Sequence, residues 1–260
     1  MSPNYVQYTF LCWTVVILTL HGAQSALAEM VFLSADRSLT TIGTQLESMQ
    51  KEVDGFEPLN TEILNSGYVR DANNKIVGST VASATQVSTI TEDEIRGLGR
   101  SSGYANGLDG VAIGTGRTEM TVSFEVDEVM NYTLSGQLRI VHGIGLNGSV
   151  AQVRLTGPEG IVFDITMDDA NPPDNTGVLD FSGSNRLTGE FGPGVFTLEA
   201  MSEGNGTHGL NRCADFEFTL TTAVVPEPAS LMLLMLAAFI GCHRLRCAGK
   251  AIGDSGCPAS

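Results

Sequence analysis

Asp168, Asp169, Asn171, Asp174 and Asn175 put five oxygen-bearing side chains within eight residues. Calcium takes several such ligands from a single loop, so this is the best candidate for a cation site. The spacing is not that of an EF-hand, because with Asp169 in first place Asp174 stands where that loop needs glycine. Pro172 and Pro173 mark an exposed, extended turn. A solvated acidic loop is therefore the expectation, with calcium as the alternative.

Other chemistry-bearing patterns lack the context their chemistry needs. Gly99-Arg100-Ser101-Ser102-Gly103 matches a nucleophile elbow, but that elbow requires a buried strand before the serine and a helix after it. Here 91–96 is acidic and 104–107 (YANG) is turn chemistry, so a chance match is expected. Residues 143–148 (GIGLNG) match a dinucleotide fingerprint, yet 150–155 (VAQVRL) alternates as a strand where a phosphate-binding helix would have to start. A hairpin loop explains these glycines. Cys213 is the one cysteine between 29 and 222, which excludes a disulfide within that stretch and predicts a half-buried thiol near a strand start. A cysteine nucleophile needs a base, and the nearest histidine in sequence, His208, lies in a glycine-rich segment. His142 and His208 have no companions at zinc-ligand spacing. Asn131, Asn147 and Asn205 begin Asn-x-Ser/Thr triplets of a kind common by chance. No cofactor and no catalytic residue is predicted.

The elements around these residues read as strands. Segments 120–127 (MTVSFEVD), 132–140 (YTLSGQLRI), 150–155, 194–200 (GVFTLEA) and 214–220 (ADFEFTL) alternate apolar and polar residues. Asn147-Gly148, Gly157-Pro158-Glu159-Gly160 and Gly192-Pro193-Gly194 supply turns between them. The fold class is therefore all-β, an antiparallel β-sandwich or jelly roll. Leu46, Met49 and Val53 recur at 3 and 4 spacing and leave a helix open over 44–53. Residues 73–91 read either as a small-residue strand pair, with Asn73-Asn74 at the tip and Val81, Val87 and Ile90 pointing inward, or as a connector. The glycine-rich run 97–116 reads as a long loop or a boundary between a looser region, 29–118, and a main sheet, 119–222. Within 29–222 stand 11 Lys+Arg and 27 Asp+Glu, a balance of −16 that excludes nucleic acid as a partner.

Both ends of the chain carry targeting patterns. Residues 10–20 (FLCWTVVILTL) are an apolar core followed by Ala26-Leu27-Ala28, which reads as a signal peptide over 1–28 with Ala26 and Ala28 at the signal peptidase site. At the other end, Pro226-Glu227-Pro228 is stiff and extended, 229–242 is a helix-prone apolar run, and Arg244 and Arg246 form a basic stop after it. Fourteen helical residues rise only about 21 Å, short of the ~30 Å hydrocarbon core, which suits a temporary transmembrane anchor. A short tail, 248–260, completes the chain.

The order Val-Pro-Glu-Pro, apolar helix, arginines over 223–247, together with a signal peptide, resembles the PEP-CTERM sorting signal of Gram-negative bacteria that make extracellular polysaccharide. The resemblance implies an exosortase, a membrane-embedded transpeptidase-like enzyme, as the partner that reads Pro226, Glu227 and Pro228 and removes the tail. The segments YTLSG and GPGVFTLEA are also similar to bodies of that family, which implies a β-sandwich of unassigned activity and nothing catalytic. These patterns together predict an exported protein, held transiently in the inner membrane and then passed to the cell surface or polysaccharide matrix, where its work is structural or adhesive. The alternatives are an anchored lectin-like module and a carbohydrate-active hydrolase. The one tryptophan, Trp13, leaves with the signal peptide, and Tyr104 and Tyr132 are the candidate tyrosines for a sugar platform.

Overall fold

The computed structural model describes residues 30–107, 112–141, 148–168, 177–207 and 209–225. Among the described residues thirteen strands succeed one another: β1 (Met30–Gly43), β2 (Met49–Asp54), β3 (Leu59–Arg70), β4 (Ile76–Thr91), β5 (Glu94–Gly107), β6 (Ile113–Val126), β7 (Met130–Val141), β8 (Val150–Gly157), β9 (Gly160–Asp168), β10 (Val178–Asp180), β11 (Leu187–Phe191), β12 (Gly194–Thr207) and β13 (Leu210–Val224). One sheet has the order β2-β1-β6-β12-β8-β9. The other has β10-β7-β13-β5-β4-β3, with β11 also pairing β7. The paired strands are antiparallel, and the two sheets face each other as a sandwich whose strands alternate buried and exposed residues. Strands from the two halves of the chain interleave in both sheets, β1 beside β6 and β5 beside β13, so nothing divides the sandwich at 118/119.

The core changes character along its length. At one end Phe124 stacks on Phe196 with centroids 5.7 Å apart, and Tyr132 stacks on Phe191 at 4.5 Å. Phe216, Phe218 and Leu220 complete this end, each such side chain contributing about 1.5–3 kcal/mol by leaving water. Towards the other end the facing residues shrink. A Cβ on Gly103 would lie 2.6 Å from Gly204 O, one on Gly116 2.6 Å from Ser102 O, and one on Gly114 2.7 Å from Val81 O. The sheets there approach backbone to backbone, well inside the roughly 10 Å usual between packed sheets.

That close approach explains where the structure departs from expectation. Within the run 97–116, residues 97–107 are most of β5 and 113–116 the start of β6 rather than a loop, and their glycines let the sheets meet. Residues 76–91 are one strand rather than a connector, and 71–75 form the hairpin tip, with Asp71 Oδ1 accepting from the Asn73 and Lys75 amides and Asn74 at φ 64°. Val81 and Val87 face outward, 37% and 38% exposed, because the narrow gap takes Ala82, Ala84, Gln86 and Ser88 instead; Ile90 packs on the core. Residues 44–53 are not helical either. Gln45 turns the chain at φ 60°, Leu46 folds over Gly43 and Gly67, and β2 comes next. The link after Val141 is not a hairpin, since β7 and β8 belong to different sheets.

Candidate functional site

The sequence candidates do not converge. Ser101 is fully buried in mid-β5, paired with Ala84 and Ala214, and its hydroxyl donates to Ala214 O at 3.2 Å. A serine inside a flat ladder, with no turn and no helix after it, cannot present its Oγ as an elbow does. Cys213 is a free thiol, and it is more buried than half. Burial first, and then the Asp215 charge, push this thiol up, so it stays protonated and is a poor nucleophile. Asp168 ends β9 opposite Val150. Asp169, Asn171, Asp174 and Asn175 lie outside the described residues, as do His142, Asn147 and His208. The signal peptidase residues Ala26 and Ala28, the Pro226-Glu227-Pro228 element, the run 229–242, and Arg244 and Arg246 also lie outside them. Among the described residues no three His, Cys, Asp or Glu side chains gather at metal-binding distance, and no helix is long and apolar enough to cross a membrane. Of the two tyrosines expected as platforms, Tyr132 is a core residue whose hydroxyl is pushed up by burial, and Tyr104 is half-buried on an outer face.

The strands of both sheets expose a mixture of polar and apolar side chains. In the six-stranded sheet Arg117 on β6 lies between Glu119 and Glu203, with Nη1 at 3.3 Å from Glu203 Oε2, and Ser38 Oγ donates to Glu119 at 3.2 Å, while Leu33, Ile42, Ile113, Ile161 and Val195 are exposed as well. Nearby, Gln152 and Thr166 both donate to Asp164 Oδ1 at 2.8 Å. Exposed pairs of this kind contribute about 0–1 kcal/mol each and carry no reacting geometry. The outer face of the seven-stranded sheet exposes Leu64, Tyr68, Ile76, Val81 and Val87.

At the glycine-rich end of this second face lies an open cleft of about 260 Å³, lined by Tyr68, Ile76, Val77, Gly78, Ser79, Asn106 and Gly107. Three strands build it. Tyr68 on β3 pairs with Ser79 on β4, which pairs with Asn106 on β5. Gly78 forms the floor, because any side chain there would strike the Asn106–Gly107 backbone. Beneath, Val69, Val77, Ala105 and Ala112 make a small second core. The lining has no carboxylate, imidazole or ammonium; its side-chain polar groups are the Tyr68 and Ser79 hydroxyls and the Asn106 amide. It has an exposed ring beside an amide and a hydroxyl, groups that can stack on and hydrogen-bond a neutral polar ligand. Tyr68 stands in no motif; its signal is a two-residue alternation with Leu64 and Ser66 along 59–70 (LNTEILNSGYVR), visible only once that run is taken as a strand.

A buried cation also escapes motif reading. Arg37 sits in β1 at 2% exposure, with Nη1 donating to Glu57 O at 2.8 Å and Ser88 Oγ at 3.1 Å and Nη2 bonded to Gly55 O. Burial lowers its pKa and nearby Asp54 partly offsets that. Its carbonyl partners place it as a clamp on the β2–β3 connection.

No family model matches the chain, and no curated protein matches it. Among solved structures, one that is similar is TmCBM61 in complex with β-1,4-galactotriose. The match has 12% identity, covers 45% of this chain and 75% of that one, and has a TM-score of 0.19. A superposition of that quality assigns neither a fold nor a ligand.

Proposed function

We propose that the chain is an exported cell-surface or matrix protein of a Gram-negative bacterium, cut from its precursor by signal peptidase and sorted through its tail by an exosortase-type enzyme. Its work is structural or adhesive within extracellular polysaccharide. The observation that carries this reading is the order of three units after the last strand: Pro226-Glu227-Pro228, the apolar run 229–242, and Arg244 with Arg246. An extended Pro-Glu-Pro just outside the membrane offers a processing enzyme an accessible backbone, and a short apolar run gives a temporary hold. Replacing Glu227 by Ala is expected to leave export intact while trapping the protein in the inner membrane with its tail attached. Equal mass and equal partition of variant and parent between membrane and medium would make the tail an ordinary anchor.

A second reading, a lectin-like module, is favoured by the cleft beside Tyr68. Binding there is expected to be weak, about millimolar or roughly −4 kcal/mol, because one exposed ring and a shallow wall cover little of a sugar. Micromolar affinity on a glycan array, lost in Tyr68→Ala, would make glycan binding the main activity.

A further inference from the structure

The strand that carries Tyr68 is also an open edge. β3 pairs with β4 on one side, and among the described residues no strand pairs with its other side. Gln45 shows which backbone groups face outward: its side chain donates to Arg70 O and accepts from Arg70 N, both at 2.8 Å, while the next amide, Asp71 N, turns back to Lys75 O. Backbone direction alternates along a strand, so the N–H and C=O groups of Glu62, Leu64, Ser66 and Tyr68 face the same side as those of Arg70, which Gln45 already caps at the end of the edge. Natural edges are commonly blunted by proline or lysine. The run 59–70 contains neither, and it exposes Leu64 and Tyr68 at 57% and 64%.

The order of its outward side chains is palindromic in chemistry: Glu62, Leu64, Ser66, Tyr68, Arg70. We propose that β3 pairs antiparallel with β3 of a second copy about a twofold axis through Ser66, joining two sheets into one. This deepens, and rests on, the structural reading above. In that register each Leu64 lies opposite the other copy's Tyr68, and each Glu62 opposite the other copy's Arg70. A slip of two residues puts Glu62 opposite Tyr68, or carries it past the end of the partner strand, so only the Ser66-centred pairing matches both charges. Arg70 Nη1 already donates to Asn74 O at 2.9 Å, which holds the guanidinium at the strand end. The contact is self-complementary, as a twofold interface must be. One Glu and one Arg also make this edge neutral, so two chains of net charge −15 can meet there without the repulsion that other approaches meet. Main-chain bonds of the added ladder at Leu64, Ser66 and Tyr68 and the Leu–Tyr pairs supply affinity; Gln45 keeps the Arg70 amide and carbonyl, so Glu62 meets Arg70 through side chains, and those ion pairs fix the register.

The test uses the full chain in a detergent without a sugar headgroup, with Cys12, Cys242, Cys247 and Cys257 changed to serine so that buried Cys213 is the only native thiol left. Ser66→Cys on this background should form a covalent dimer on mild oxidation, since directly opposed residues of an antiparallel pair are ~5.5 Å apart at Cα, within disulfide reach. Asn60→Cys, far from the axis, should give none. By sedimentation, Glu62→Arg and Arg70→Glu should each weaken dimerisation about tenfold, and the double swap should restore it. A Ser66→Cys chain that stays monomeric under oxidation, or single swaps without effect, overturns the pairing. Tail removal is read separately from the mass of the exported chain. A monomer that loses its tail rejects the pairing alone, and a dimer that keeps its tail rejects the sorting alone.

Discussion

Two ends of one sandwich hold the same pair of sheets together by different means. Where β1 begins and β13 ends, Phe124, Phe191, Phe196, Tyr132 and Phe216 fill a gap of ordinary width with interlocking rings. Where β5 ends and β6 begins, Gly103, Gly114, Gly116, Gly204 and Gly206 leave no gap to fill. The aromatic end gains from apolar area withdrawn from water, and the glycine end from close dispersion and Cα–H···O contacts over little apolar area. Area tolerates partial loss, because a smaller side chain leaves a cavity. Backbone contact tolerates no addition, because there is no flexible side chain to move aside. The surfaces divide in the same way: the last strand ends beside the rings, while the cleft beside Tyr68 opens at the glycine end.

Widening the narrow end should have the largest effect. Gly103→Val has to separate β5 from β6 and β12, and is expected to cost more than about 4 kcal/mol, enough to leave the body unfolded in a urea titration. If this variant melts like the parent, the sheets do not touch there. Phe124→Ala should cost about 3–5 kcal/mol and leave a folded protein with a lowered midpoint, because the surrounding rings relax only partly into the hole. The smallest effect concerns charge on the seven-stranded sheet. Asp215 Oδ1 is buried without a hydrogen bond, 3.6 Å from Arg100 Nε. Burial pushes its carboxyl above the usual carboxylate range, and Arg100 and Arg139 offset part of that. A carboxyl with a raised folded value favours folding while protonated, and that contribution fades as pH rises from the unfolded value through the folded one. Asp215→Asn should therefore flatten the decline in melting temperature above about pH 4 and raise stability at neutral pH. An unchanged pH profile would show that the carboxylate is solvated.

The same division governs how much of the fold is legible in the sequence. Strands at the aromatic end announce themselves, because Phe, Leu and Val alternate with Thr, Ser and Glu in β6, β7, β8, β12 and β13. β4 and β5 do not, since Gly, Ala and Ser stand on both faces and alternation without contrast looks like a loop. The inward set of β4 is hard to assign for the same reason: in a gap without width the small residues point in and the valines point out. Arg37 is hidden because a guanidinium that binds carbonyls needs no acidic neighbour in sequence. The cleft is illegible because Tyr68, Ser79 and Asn106 meet only through strand pairing. The absence of an elbow at Ser101 is legible, since the residues around it cannot make a strand–turn–helix.

A role at the cell surface or in the matrix requires an exported body released from its anchor, and the mass of the mature protein tests that most directly. Protein recovered from the envelope and medium should begin at Glu29, lack the run 229–242, and be correspondingly lighter than the 27.5 kDa chain. N-terminal sequencing combined with intact-mass measurement reads both ends in one sample. A mature chain that keeps Met1, or one that reaches the medium with 229–242 still attached, would contradict export and release as proposed.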